Sequence, residues 1–209
     1  MAAFFSNLRN TIVAGLVLVV VVLAIHFWQV GGFALDSAFW LYFVRVLHIW
    51  SGIMWIGLLY YFNFVSTPTT PSIPAELRPA LGKYITPAAL FWFRWGAMGT
   101  IVFGIILAAL NNYLIQAYTL DATEAFANPT TTIIGIGMWF GTIMWFNVWF
   151  LIWPNQQKAL NIDNRYPDLP QPEKDASAKT AGMASRINTM LSIPMLFAMV
   201  ATAHLYGAI

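Results

Sequence analysis

Three histidines, His26, His48 and His204, are the residues of this chain best suited to chemistry, because each falls within a long apolar stretch. An ionisable group in hydrocarbon is costly and marks a functional position by default. Neutral imidazole ligates haem iron, copper or zinc through one nitrogen while the other makes a hydrogen bond. His48 has the most informative surroundings. Arg45, His48, Gly52, Trp55 and Leu59 follow helical i, i+3, i+4 spacing and share one face. A glycine one turn from a histidine lets a flat ligand approach the backbone. An arginine one turn the other way can pair with the ligand's carboxylate. The pattern points to a haem b with His48 and His204 as iron ligands and with Arg45 and Gly52 in the binding set. Copper on the histidines is the less favoured alternative. The plain structural reading is that these imidazoles hydrogen-bond between helices. For His26, which can reach the headgroup region, that reading is preferred. With no cysteine, the chain can form neither disulfides nor thiolate metal sites, and it cannot attach a covalent haem c.

These residues need elements to position them. The chain is 59% hydrophobic and only 9% charged, against about 25% charged in soluble domains. Five apolar stretches, about 10–30, 37–65, 87–114, 130–153 and 186–206, are long enough to cross a bilayer, which takes about 20 helical residues. None alternates in polarity as barrel strands do. The expected fold is an all-α integral membrane bundle of five transmembrane helices, in a single domain over 1–209. The first stretch is longer than a signal-peptide core and no A-x-A site follows it, so it reads as a membrane helix. Arg9, Arg78, Lys83, Lys158, Arg165, Lys174, Lys179 and Arg186 all fall on one side, whereas 31–36 and 115–129 hold no Lys or Arg. The positive-inside rule then gives N-in and C-out, in a bacterial inner membrane, with 154–185 as a cytoplasmic loop. The net charge of +2 offers no footprint for nucleic acid.

Other polar residues within the spans have plainer roles. Arg94 in FWFRWG can snorkel to the cytoplasmic headgroups, with a quinone or lipid-headgroup contact as its functional alternative. Asn63, Asn147 and Asn188 lie toward the inner side and can bond across the bundle. Eight glycines, Gly104 among them, suit close helix approach, and Pro194 should kink the fifth helix. No Asp or Glu lies deep in a span, which argues against a proton-driven transporter.

Four segments, VRVLHIWSGIMWIGLLYYFNFV, LFWFRWGAMGT, GTIMWFNVWFLIWPNQQK and SRINTMLSIPMLFAMVATAH, together resemble the membrane domain of the bacterial cytochrome c-linked urate hydroxylases, the urate oxidase N-terminal family. The likeness is to a shortened form without that family's cytochrome c domain. The matching positions are His48, Arg94, Asn147, Pro154, Asn155, Gln156, Arg186, Asn188, Pro194 and His204; His26 lies outside the resemblance. It implies a membrane domain that works with c-type cytochrome electron transfer and, in urate hydroxylases, oxidises urate.

Three functional readings follow. The first is a haem b-binding subunit that takes part in electron transfer toward a c-type cytochrome or a larger respiratory or photosynthetic complex. The second is a cofactor-free structural subunit of a large membrane complex. The third is an oxidoreductase, a shortened urate or purine oxidase.

Overall fold

The computed structural model describes residues 2–32 and 34–205. The predicted end of the fifth span at Tyr206 lies outside them. Helices dominate and no strand occurs among the described residues. Five helices are long and apolar enough to cross a membrane: α1 (Leu8–Gln29), α2 (Ser37–Ser72), α3 (Arg78–Leu110), α5 (Pro129–Leu160) and α6 (Gln171–His204). A short helix, α4 (Leu114–Tyr118), lies between α3 and α5.

The chain divides into two compact units, 1–40 and 41–209. In the first, Asn7 caps α1 by accepting the Arg9 N–H at 2.9 Å. α1 is apolar on all sides and buries none of its residues, the pattern of a helix whose whole circumference suits hydrocarbon. Asp36 accepts the Phe39 N–H at 2.9 Å and starts α2.

The second unit holds the core. Trp55, Leu59, Met144 and Val148 have no exposed surface, and Phe93 has 2%. α2 and α3 run antiparallel in close register. A Cβ on Gly96 would sit 3.1 Å from the Trp55 nitrogen, and one on Gly104 would sit 3.0 Å from the His48 ring. As numbers rise along α2 they fall along α3. Polar side chains tie the remaining helices together. Asn147 donates to Asn188 Oδ1 at 2.9 Å, and Asn188 donates to the Met144 carbonyl at 2.9 Å. Asn63 donates to Ser185 at 2.8 Å, and the Tyr60 hydroxyl lies 2.9 Å from that of Ser192. Asn147 and Asn188 thus bond across the bundle as expected, while Asn63 finds a serine.

Three helices pass through a widened π turn, at Tyr61–Ser66, Leu81–Ile85 and Asn147–Ile152. Each turn ends two residues before a proline: Pro68, Pro87 and Pro154. Proline has no N–H, and its ring collides with the carbonyl four residues back. Bonding from i to i+5 gives that carbonyl another donor. The helices therefore absorb these prolines without breaking.

That mechanism corrects two expected boundaries. The segment 66–86 is helical except between Ser72 and Arg78, and 154–185 is helical except between Leu160 and Gln171. The long polar loop is thus mainly the polar ends of α5 and α6. Asn161, at φ 47°, stops α5 in the left-handed region. Pro172 and Glu173 in the first turn suit the start of α6. The charged residues that follow masked a helix rich in alanine. On the other side, α3 ends at Leu110 rather than 114, where Asn112 turns left-handed at φ 59°.

Candidate functional site

The second unit holds a part-open cavity of about 750 Å³ between α2, α3, α5 and α6. Its volume falls in the range for cofactor-sized ligands, roughly 300–1,000 Å³. Arg45, His48, Gly52 and His204, the four residues singled out for ligand binding, all line it, as does Trp55. His26 belongs to the first unit and does not line it. Among the described residues, no three histidine, aspartate or glutamate side chains are placed to hold a metal ion together.

His48 is the best-defined member. Its Nδ1 lies 2.9 Å from the Thr100 carbonyl. A carbonyl can only accept, so Nδ1 carries the proton and donates. In the neutral ring that leaves the Nε2 lone pair as the ligating atom. Metal-bound histidines are usually held this way, with the far nitrogen bonded to a carbonyl or carboxylate that fixes tautomer and ring plane. Gly104 makes the contact possible, because a Cβ there would press to 3.0 Å on His48 Cε1 and 3.2 Å on Nδ1. Thr100 and Gly104 are one turn apart on α3, so carbonyl and clearance come from the same face. Gly52 lies opposite, with only the Thr100 side chain near its position, at 4.0 Å.

The far end of the cavity carries residues that sequence reasoning missed. Asn111, Tyr113 and Tyr118 reach its wall from the α3–α4 connection. Tyr113 is near enough to Arg45 to interact electrostatically; burial pushes its phenol up, and the guanidinium partly offsets this. α4 is fixed on α5. The Trp139 indole donates to the Tyr118 carbonyl at 2.9 Å, and the Tyr118 hydroxyl lies 3.0 Å from that of Thr142. A side chain on Gly135 would run into the Ala117 carbonyl. The buried Asp121 anchors the next turn by accepting the Asn128 N–H at 2.8 Å. A run of small and polar residues around 111–128 gave no hint of this docking, because it depends on a glycine of another helix.

The other family-matched residues lie elsewhere. Arg94 stacks on Trp153, with its guanidinium carbon 3.7 Å from the ring centre. Asn155 bonds its own helix through the Leu151 carbonyl at 2.8 Å. Gln156 is half-buried while its neighbour Gln157 is buried. Arg186 is exposed, and Pro194 sits inside α6.

The fold and site define an all-helical protein with membrane-length helices and a part-open cavity lined by two histidines. Residues 107–208, just under half of the chain, match the family described as Urate oxidase N-terminal. The match takes in His204, Asn147, Asn155, Gln156, Arg186 and Asn188; Arg45, His48, Gly52 and Arg94 precede it. No curated protein and no solved structure matches the chain.

Proposed function

We propose that the chain is an inner-membrane subunit that binds haem b in the His48 cavity and takes part in electron transfer toward a c-type cytochrome or a larger respiratory or photosynthetic complex. The observation that carries this reading is the bond from His48 Nδ1 to the Thr100 carbonyl, 2.9 Å long, in the wall of a cavity that His204 also lines. The donor set suits the group. Nε2 of His48 is left basic, His204 offers a second imidazole, Gly52 leaves room for a flat ring, and Gly104 leaves room for the His48 imidazole itself. Arg45 and Tyr113 supply donors for carboxylates. Bound there, haem would supply one-electron chemistry. The chain's own residues would fix the ligand plane, neutralise acid groups and keep the apolar walls dry.

The membrane reading rests on five helices of sufficient length and apolarity. The N-in, C-out orientation rests on the distribution of Lys and Arg. It puts the cavity toward the outer face, within reach of a periplasmic electron partner. A cofactor-free structural subunit is the second reading, favoured by α1, which buries none of its residues and suits a lipid or subunit contact. Oxidation of urate or a purine ranks third.

A pyridine haemochrome assay on protein purified in mild detergent separates these readings. The first predicts haem b near one per chain. Folded protein with negligible haem, after expression in a haem-replete host, would leave the structural reading in its place.

A further inference from the structure

On α3, six residues before Thr100, Arg94 meets a wall of aromatic rings. Its guanidinium carbon is 3.7 Å from the Trp153 ring centre and 5.8 Å from those of Trp149 and Phe91. Trp149, Trp153 and Gln157 recur every four residues along α5, so they form one stripe with Arg94 over its middle. Three nitrogens of this cluster, Arg94 Nε, Trp149 Nε1 and Gln157 Nε2, are buried with no hydrogen-bond partner. All three are donors. Buried donors without acceptors are costly and rare, so a cluster of one sign calls for an oxygen-rich acceptor from outside. Arg165 and Asp163 are the charged groups that act on Arg94 electrostatically. Counted with Arg94 they leave a net positive charge, which favours an anion.

Depth narrows the source. Arg94 lies sixteen residues before Leu110, the end of α3, about 24 Å at 1.5 Å per residue. With Leu110 taken at the outer edge of hydrocarbon about 30 Å thick, Arg94 sits in the inner part of the core, from which its long side chain reaches headgroup oxygens. A half-buried arginine backed by an aromatic face can take two phosphate oxygens at once.

We infer that Arg94, with the Trp149 and Gln157 donors, binds the phosphodiester of a membrane phospholipid. The inference rests on membrane insertion but not on any cofactor, and its test reads no haem signal. Native mass spectrometry of the protein released from phosphatidylglycerol nanodiscs should show a retained phospholipid on the wild type. Arg94→Gln should lower that retention about tenfold, the scale of losing a charge-assisted hydrogen bond. Gln157→Met, which keeps length but removes the donor, should lower it severalfold and serves if Arg94→Gln does not fold. Added millimolar inorganic phosphate should leave the lipid in place. Equal retention in folded Arg94→Gln, or in Gln157→Met, would overturn the inference. Displacement by inorganic phosphate would assign the site to free phosphate and overturn it as a lipid site.

Discussion

The two halves of the second unit use polar residues in opposite ways. Toward one end, Asn147 and Asn188 satisfy each other and the Met144 carbonyl beside fully buried Leu59 and Val148. Toward the other end, His48 uses one nitrogen to hold its place and keeps the other unspent, and glycines stand where side chains would fill the space. A closely packed half holds the bundle. A glycine-walled half with a poised imidazole holds a ligand. The same helices, α2, α3, α5 and α6, serve both, so the separation lies along their axes rather than between domains.

Substitutions in each half should therefore have separable effects. Asn188→Leu leaves the Asn147 amide buried without its partner and should destabilise the fold by about 1–3 kcal/mol. Thermal unfolding in detergent would register this, and the surviving folded protein should keep its full haem content. Replacing both, as Asn147→Leu with Asn188→Leu, should recover part of the loss, because removing both partners of a buried bond costs less than removing one. Haem lost in parallel with stability would break the distinction between the halves. Gly104→Ala should do the converse. Its Cβ would displace the His48 ring from Thr100 and lower haem affinity about tenfold, the scale of one hydrogen bond, with little change in melting temperature. Haem titration of the apoprotein measures it. Thr100→Ala should have the smallest effect, under about twofold in affinity, because the bond uses the backbone carbonyl, which survives the substitution. A large loss would mean that the threonine hydroxyl, which donates to the Gly96 carbonyl at 2.8 Å, shapes the site instead.

Much of the bundle was legible because length and apolarity alone mark such helices. The shared face of Arg45, His48, Gly52 and Trp55 was legible too, because helical spacing is a local property. Helix ends were not. Pro68, Pro87 and Pro154 lie at or just beyond the expected span ends, yet each is absorbed by a π turn that carries the helix on. The start of α6 was hidden by polarity, since a charged amphiphilic extension looks like a loop in composition. Thr100 and Gly104 could not be chosen from the sequence. A backbone carbonyl has no side-chain signature, and Gly104 was one of eight glycines with the same apparent role. Tyr113 and Asp121 owe their positions to the docking of α4 against Gly135, a contact between segments that no periodicity reveals. Arg94 was singled out for its charge, but the one-sided set of donors around it needed the neighbouring helix.

The most direct test is the dithionite-reduced minus oxidised absorption spectrum of purified wild type beside His48→Ala, with circular dichroism on both. The account predicts a b-type α band in the wild type that is lost in a variant of unchanged helicity. A band that survives His48→Ala, or a featureless spectrum from folded wild-type protein produced in a haem-replete host, would contradict it.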